Sequence, residues 1–208
     1  MGEGRYVYDR LAAGYDRAMR PCERLGLGRL RRRALAEVGE ALAGSRGGGL
    51  LLEVGAGTGA NFPFYPPGVR AACAEPSREM LLRAKEKAAR PGGSGLFRAL
   101  AERLPFGDGT FDAAFATLVF CSVASPAEGL AELRRVVRAG GRVVLLEHVR
   151  PPAPLGYAFD ALNLLTVPLF DDHFNRRTAE EARRAGLRVE RIESLLLGVV
   201  ELIVCRAV

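Results

Sequence analysis

The stretch LLLEVGAGTG at residues 50–59 decides the fold of this chain. Its apolar run ends at an acidic residue, Glu53, after which three glycines alternate with small residues. Gly55, Gly57 and Gly59 carry no Cβ and tolerate backbone angles that other residues avoid, so a ligand can approach such a turn closely. The pattern predicts a buried strand that leads into a ligand-binding turn. Glu53 is placed to pair with a cationic or hydroxyl-bearing part of that ligand.

Two kinds of cofactor fit such a turn, because GAGTGA at residues 55–60 also matches the dinucleotide fingerprint G-x-G-x-x-G/A. A dinucleotide site needs a long helix that begins at the turn and directs its N-terminus at the pyrophosphate. Here the chain continues with NFPFYPP, in which Pro63, Pro66 and Pro67 oppose a long helix. The dinucleotide is therefore the poorer interpretation. An NAD-dependent oxidoreductase stays open as an alternative, as does a cofactor-binding protein without catalytic activity.

Length and composition indicate an ordinary globular domain. The 208 residues suffice for one α/β domain with a full core. Hydrophobic residues make up 49% and charged residues 26%, which argues against a disordered or fibrous chain. No apolar run approaches the roughly 20 residues that span a bilayer, and the N-terminus lacks the apolar segment of a signal peptide. We therefore expect a cytoplasmic protein.

The sulfur-containing and charged residues indicate neither a metal site nor nucleic-acid binding. The cysteines and histidines are isolated from one another, so we expect no metal and no disulfide. We interpret all four cysteines as reduced and structural: Cys22, Cys73, Cys121 and Cys205. The formal charge of +6 is spread through helices, and the one basic run, at residues 29–33, is typical of a solvated helix face. An anionic membrane surface or an acidic head group would account for the charge as well as nucleic acid would.

From residue 50 onwards strand-like and helix-like patterns alternate, which predicts a parallel sheet with helices on both faces. The predicted strands are 50–54, 69–75, 96–100, 111–117 and 142–148, and the predicted helices are 78–89 and 126–138. Ser77 and Ser125 are the predicted N-caps, and Ser125 opens a capping-box pattern with Glu128.

The organisation changes after residue 150. Three prolines precede an apolar segment at 155–170, and Thr178 with Glu181 predicts a second capping box. The strand patterns at 187–192 and 199–205 are too close in sequence for a crossover helix, so they must pair antiparallel.

The pattern E-x-G-x-G-x-G at residues 53–59 resembles motif I of the class I S-adenosylmethionine-dependent methyltransferases. The resemblance covers about residues 50–150 and implies an α/β, Rossmann-like seven-stranded sheet that is mostly parallel, with an antiparallel C-terminal strand and helices on both faces. It also implies S-adenosyl-L-methionine as the cofactor. The methionine end of that cofactor would lie against the glycine turn, at Gly55, Ala56, Gly57 and Gly59.

Further residues match cofactor contacts of this family. Glu75 ends the second predicted strand, before Pro76, and resembles the acid that accepts both ribose hydroxyls. Met80, on the helix that follows, could cover the adenine ring.

The segment LAERLPF at residues 100–106 resembles the family's D-A-x-x-L-P-F motif, except that Leu100 replaces the acid that accepts from the adenine amino group. That contact then falls to the Ala101 backbone and to Glu102. Thr117 and Leu118 align with the segment beneath the methionine moiety.

The sequence YVYDRLAAGYDRAM near the N-terminus resembles a segment that lies over the cofactor in quinone-type members. Tyr15 would exclude water from the sulfonium, and its aromatic face would attract the cation. Packing of an amphipathic helix explains the same pattern. We expect a single domain over 1–208, with a helical lid at 1–48, a cofactor-binding core at 49–150, and a substrate-side segment and strand pair at 151–208.

Methyl transfer from a sulfonium is an in-line displacement, which needs alignment of the reactants rather than a catalytic triad. A base is required only when the acceptor must first lose a proton. His148, at the end of the fifth predicted strand, is placed to take that proton. Asp171, Asp172 and His173 are weaker candidates for the same role.

The segment 159–167, with Phe170 and residues 175–178, is similar to bacterial methyltransferases of two kinds. One kind methylates carbon in demethylmenaquinone or ubiquinone precursors, and the other methylates the nitrogen of phosphatidylethanolamine; related thiol methyltransferases share the first half of the segment. The resemblance implies a small or lipid acceptor with its head near Asp160, Asn163, Asn175 and Arg176. The basic charge suits contact with a membrane surface.

Overall fold

The computed structural model describes residues 7–43, 49–87, 95–170 and 172–208. Within them, the strands are β1 Leu50–Val54, β2 Arg70–Ala74, β3 Gly95–Phe97, β4 Phe111–Thr117, β5 Val137–His148, β6 Arg188–Leu195 and β7 Val200–Arg206. They form one seven-stranded sheet in the order β3-β2-β1-β4-β5-β7-β6. The helices are α1 Val7–Cys22, α2 Gly28–Leu42, α3 Arg78–Lys87, α4 Pro126–Val136, α5 Leu155–Phe170 and α6 Thr178–Arg184.

The parallel part of the sheet has β1 at its centre, with β2 on one side and β4 on the other. The chain crosses from one half of the sheet to the other after β3, so the strand order reverses between the neighbours β1 and β4. In open α/β sheets, ligands bind beyond the carboxyl ends of the strands at such a switch point. The sheet order thus predicts a ligand site at the turn that follows β1.

The antiparallel C-terminal pair is confirmed. Strand β7 lies between β5 and β6 and runs antiparallel to both, with Val143 opposite Cys205 and Ile192 opposite Ile203. The predicted fold class, a mostly parallel α/β sheet with an antiparallel C-terminal strand, is therefore confirmed.

Helices cover both faces of the sheet, as predicted. Leu35 and Val38 of α2 pack on one face with Leu51. Leu133 of α4 packs on the other face with Leu52. Neighbouring side chains of a strand point to opposite faces, so Leu51 and Leu52 anchor the two layers, and both are fully buried.

Several predicted boundaries differ from the structure. Strand β3 ends at Phe97 instead of residue 100, because the chain turns there and Leu100 forms an isolated bridge with Arg103. Strand β5 begins at Val137, five residues earlier than predicted. The predicted helix at 78–89 is observed as α3, and residues 88 and 89 lie outside the described residues.

The capping predictions were correct in part. Ser77 caps α3, since its Oγ accepts from Met80 N at 3.2 Å. Ser125 is the N-cap of α4 but makes no side-chain cap bond. Its backbone N–H donates to Glu102 Oε1 at 3.1 Å, which takes the place of the bond expected from Glu128. The capping box at Thr178 was wrong: the N-cap is Arg177, and Thr178 already belongs to the helix.

The cysteine prediction holds for three of the four residues. Cys73, Cys121 and Cys205 are buried free thiols, as expected for small core side chains. Cys22 is exposed at the end of α1, so the structural interpretation was wrong for this residue.

Candidate functional site

The turn after β1 has the backbone that its glycines predicted. Gly55, Gly57 and Gly59 have φ values of +71°, +54° and +78°, a region that side chains disfavour. A Cβ on Gly55 would lie 2.2 Å from Val119 Cγ2, whereas a Cβ on Gly57 would meet no atom within 4 Å. Gly55 is therefore required by close packing as well as by its backbone angle, whereas Gly57 is favoured by its backbone angle alone and leaves open space in front of it.

The helix that would follow a dinucleotide-binding turn is absent from this part of the structure. The segment after the turn forms one 3-10 helix of three residues, Phe62–Phe64, which contains Pro63. The chain thus has no extended helix N-terminus aimed at a ligand from this turn. This observation agrees with the argument from the prolines.

A cavity of about 210 Å³ opens beside the turn, at the carboxyl ends of β1, β2 and β4. Eleven of the predicted cofactor residues line it: Tyr15, Gly55, Ala56, Gly57, Glu75, Pro76, Met80, Ala101, Glu102, Thr117 and Leu118. Residues at or just beyond the ends of three strands thus meet residues of α1 at one opening. The cavity lies at the switch point of the sheet, where the topology predicts a ligand site.

Glu75 is the carboxylate that faces this cavity. It is only 6% exposed, and it accepts from Gly57 N through Oε2 and from Ser77 N through Oε1, each at 2.9 Å. Burial raises the pKa of Glu75, and the two backbone donors oppose that rise. A carboxylate offers about four acceptor positions, so Glu75 can bind both N–H groups and still accept from two hydroxyls.

Glu53 lies behind the turn rather than in the cavity lining. It is completely buried, with Asn61 Nδ2 donating to its Oε1 at 2.6 Å and Tyr65 OH donating to its Oε2. Burial raises the pKa of Glu53 to about 7. Both oxygens are engaged by the segment that follows the glycines, so Glu53 supports the turn, and its direct pairing with a ligand stays a prediction. Gly59 is also buried outside the lining, against the Phe62 ring.

The wall around the motif 100–106 is mostly apolar. Leu100 is 43% exposed and lines the cavity beside Ala101 and the buried Met80. Glu102 also lines the cavity and is held by its bond to Ser125 N. The position at which the family has an acid therefore presents an aliphatic side chain to the cavity.

Leu118 follows the tip of β4 with a φ of 56°, which is unusual for a leucine. Its backbone N donates to Leu146 O at 2.8 Å, which holds the residue in this conformation. Such strained residues cluster at ligand sites. Leu118 lines the cavity beside the glycine turn.

Arg31 is a cavity residue that sequence reasoning missed. The run 29–33 was interpreted as a solvated helix face, yet Arg31 is 4% exposed and lines the cavity. Its Nη1 donates to Asn61 Oδ1 at 2.9 Å and to Thr117 Oγ1 at 2.8 Å, and its Nε pairs with Glu23 at 2.9 Å. A buried cation is therefore fixed at the tips of β1 and β4.

Helix α1 lies across the cavity and is fastened at two acidic residues. Asp9 accepts from Ser77 Oγ at 2.5 Å. Asp16 accepts from Thr58 Oγ1 at 2.5 Å and pairs with Lys87 Nζ at 2.6 Å. These bonds join the helix to the glycine turn and to α3, so α1 has the position of a lid.

Two tyrosines of α1 point into the cavity. The rings of Tyr8 and Tyr15 pack edge to face, with centroids 6.3 Å apart, and both line the cavity. Tyr8 OH donates to Asp172 Oδ1 at 2.9 Å. Burial is the main cause that raises the pKa of both phenols, that of Tyr15 to about 12. Both rings are thus neutral aromatic surfaces near neutral pH.

His148 lies outside the cavity lining. Its ring packs on Phe174, with centroids 4.9 Å apart, and burial lowers its pKa to about 4. The neighbouring Glu147 is completely buried and accepts from Val119 N and Phe120 N, both at 3.1 Å. The end of β5 therefore supports the loop after β4, and the structure does not bring His148 to the cavity.

The four predicted substrate residues also lie outside the lining. Asp160 pairs with Arg150 at 2.7 Å and accepts from Asn175 Nδ2 at 3.3 Å. Asn163 is buried and accepts from Phe174 N at 2.9 Å. Together these bonds fasten the segment 172–177 to α5.

Arg176 lies outside the cavity lining and holds one wall of the cavity through hydrogen bonds. Its Nη1 donates to Phe120 O at 2.5 Å and to Val123 O at 2.7 Å. Val123 itself lines the cavity, so Arg176 positions one wall. Of the weaker base candidates, Asp172 reaches the cavity through Tyr8, and Asp171 lies outside the described residues.

Comparisons with known proteins agree on the kind of domain. A family model described as a methyltransferase domain matches residues 52–145. A human thiol S-methyltransferase, TMT1B, is 41% identical over 115 residues, which are 53% of this chain and 47% of that protein. The matched segment thus spans about half the length of this curated relative.

Two further proteins match almost the whole chain, at lower sequence identity. A ubiquinone/menaquinone biosynthesis C-methyltransferase, UbiE of Hahella chejuensis, is 28% identical over 203 residues, 91% of this chain and 80% of that protein. A solved S-adenosylmethionine-dependent methyltransferase of Thermotoga maritima has the same fold, with a TM-score of 0.67, 21% identity and coverage of 97% and 98%.

Proposed function

We propose that this chain, whose residues 52–145 match the model of a methyltransferase domain, is a class I S-adenosylmethionine-dependent enzyme that transfers a methyl group from S-adenosyl-L-methionine to an apolar acceptor. The acceptors that we favour are a quinone-precursor carbon and a phospholipid amine. One observation carries the proposal: Glu75 faces a cavity at the switch point of the sheet while it holds the backbone of Gly57.

The cavity residues fit the parts of this cofactor. Glu75 would accept from the two ribose hydroxyls, since each of its oxygens keeps acceptor capacity beyond its backbone bond. The adenine ring would lie between Met80 and Leu100, with polar contacts to the Ala101 backbone and Glu102. An aliphatic residue at position 100 favours stacking over a side-chain hydrogen bond.

The methionine end would lie along the glycine turn, near Thr117 and Leu118. Arg31 supplies a buried positive charge there, which suits the carboxylate of the methionine moiety. The sulfonium would lie near Tyr8 and Tyr15, whose ring faces attract a cation and whose helix excludes water.

The cofactor supplies an activated methyl group, so the protein must mainly align it with the acceptor. Tyr8 is the cavity residue best placed to take part in proton removal, because its hydroxyl already donates to Asp172. A proton from the acceptor would pass to Asp172 through this hydroxyl. His148, packed on Phe174, is a less suitable base than the sequence indicated.

Two features favour an apolar acceptor. The loop after β4 presents Val119 and Val123 to the cavity, and α5 is apolar over most of its length. The resemblance to thiol S-methyltransferases keeps a small alkyl thiol as the second candidate. Such a thiol would use the same apolar approach and would need the same proton acceptor.

The decisive experiment measures cofactor binding first and transfer second. We expect S-adenosylhomocysteine, and not NAD, to raise the melting temperature. Glu75→Ala should abolish the rise, whereas Glu79→Ala, which changes an exposed glutamate on the following helix α3, should keep it. An equal response to both cofactors, or an unchanged response in Glu75→Ala, would contradict the assigned site.

Transfer of a labelled methyl group then separates the acceptors. Isoprenoid quinone precursors, phosphatidylethanolamine vesicles and an alkyl thiol are offered in parallel. Label in the quinone or the lipid supports the proposal, and label in the thiol alone selects the second candidate. Cofactor binding without transfer to any of them would favour a binding protein.

A further inference from the structure

Helix α5 presents an unusual surface to solvent. Its sequence, LGYAFDALNLLTVPLF, contains one charged residue, Asp160. Tyr157, Leu164, Leu165 and Leu169 are each at least 60% exposed. A helix that is apolar around its circumference is normally buried, so this one lacks the environment that its sequence requires.

A second apolar feature lies at the N-terminal end of α5. The turn between β6 and β7 exposes two consecutive leucines, Leu196 by 61% and Leu197 by 89%. A Cβ on Gly198 would lie 2.7 Å from Pro152 Cδ, so this turn packs against the segment that leads into α5. We call the exposed side chains of the helix and the turn the leucine surface: Tyr157, Leu164, Leu165, Leu169, Leu196 and Leu197.

An ion pair and a cation–ring contact lie at the border of the leucine surface. Arg150 pairs with Asp160 at 2.7 Å and stacks over the Tyr157 ring at 5.6 Å from its centroid. The single carboxylate of the helix is therefore balanced, and an aromatic ring with a cation marks its border. Tyrosine and arginine are suited to the boundary between lipid and water. The chain also carries a net charge of +6, which favours anionic lipid head groups.

We propose that the leucine surface docks onto an anionic lipid bilayer, with α5 lying in the plane of the interface and Leu197 inserted below the head groups. A fluid apolar phase can surround side chains that point in several directions, whereas a protein partner would need a matching groove. The helix lies on the membrane rather than across it. Among the described residues, no helix is long and apolar enough to span a bilayer.

The absence of tryptophan from the sequence allows a direct test. Leu197→Trp and Leu164→Trp each place a single fluorescent reporter in the leucine surface. Phe97→Trp is the control, because β3 lies at the opposite edge of the sheet from β6, roughly 29 Å away at the usual strand spacing. Each variant is mixed with phosphatidylglycerol–phosphatidylcholine vesicles and with phosphatidylcholine vesicles.

Both reporters in the leucine surface should shift to the blue and be quenched by brominated lipid, more strongly with the anionic vesicles, while Trp at position 97 should not respond. Replacing Leu164 or Leu197 with serine in the parent chain should lower vesicle partitioning by roughly tenfold for each leucine. Unchanged emission from folded reporter variants would overturn the proposal. A blue shift that depends on protein concentration without vesicles would instead assign the surface to a second copy. None of these readouts requires methyl transfer, so their failure would leave the proposed function in place.

Discussion

Replacing Glu147 with glutamine should flatten the pH dependence of folding stability. The Glu147 carboxyl is completely buried beneath the loop after β4, and burial raises its pKa from 4.5 to about 8 against the opposing backbone donors Val119 and Phe120. The folded protein therefore keeps a proton here that the unfolded chain releases. Glutamine has the same shape and no proton to release.

The sign and size follow from proton linkage. Between the two pKa values the native state binds one proton more than the unfolded state, so the free energy of unfolding falls as the pH rises. Each pH unit is worth about 1.4 kcal/mol, so the parent should lose about 3 kcal/mol between about pH 5.5 and about pH 8 from this group. Glu53, with a pKa of about 7, adds a similar slope at lower pH in both proteins. The interval from about pH 7 to about pH 8 therefore isolates Glu147.

Urea unfolding followed by far-ultraviolet circular dichroism at a series of pH values measures the effect. Glu147→Gln should be more stable than the parent above about pH 7, and its advantage should grow with pH. Glu40→Gln, at a 74% exposed side chain, is the control and should follow the parent. Parallel curves for the parent and Glu147→Gln between about pH 7 and about pH 8 would refute the reasoning.

Four further substitutions test the cavity. Gly55→Ala should lower the free energy of unfolding by about 3 kcal/mol, because the new methyl group combines a positive φ with a 2.2 Å approach to a valine side chain. Gly57→Ala should lower it by about 1 kcal/mol in urea unfolding and should weaken S-adenosylhomocysteine binding in calorimetry. A larger loss of stability in Gly57→Ala than in Gly55→Ala would contradict the assignment. Tyr8→Phe should keep cofactor affinity and lower kcat by about 100-fold or more, because it removes the hydroxyl that donates to Asp172. An unchanged kcat would exclude Tyr8 from proton removal and leave it only a packing role in the lid. Arg31→Met should weaken cofactor binding and cost about 2 kcal/mol in thermal unfolding, with Arg29→Met as the exposed control that must behave as the parent.

The central strand and its turn were predictable because their signal is local. Four apolar residues and an acid, followed by alternating glycines, determine both β1 and the positive φ values without help from distant residues. Glu75 was predictable for the same reason, since it follows the next strand directly. The antiparallel pair followed from chain length alone, because no crossover fits between β6 and β7.

The remaining parts of the site depend on contacts between distant residues. Nothing within the run 29–33 distinguishes Arg31, whose burial comes from partners on the β1 turn and the tip of β4. At the end of β5 both faces are covered, so alternation gives no guide to whether Glu147 or His148 faces the cavity loop. For Glu53, too, the sequence does not show whether the side chain faces the cavity or the interior. Its partners Asn61 and Tyr65 lie behind the turn.

The insertion of β7 between β5 and β6 has a consequence for how the molecule opens. Among the described strands, β6 pairs with β7 alone, so it is attached to the rest of the sheet only through β7. Loss of the hydrogen bonds between β5 and β7 would release β6 and β7 together, so we expect the amides of both strands to exchange hydrogen at a common rate, as one cooperative unit. Strand β6 is the outer strand at this edge, and its charges alternate in sign at Arg188, Glu190, Arg191 and Glu193, which disfavours the pairing of another chain with the edge. The aliphatic Leu202 and Ile203 of β7 remain buried behind it.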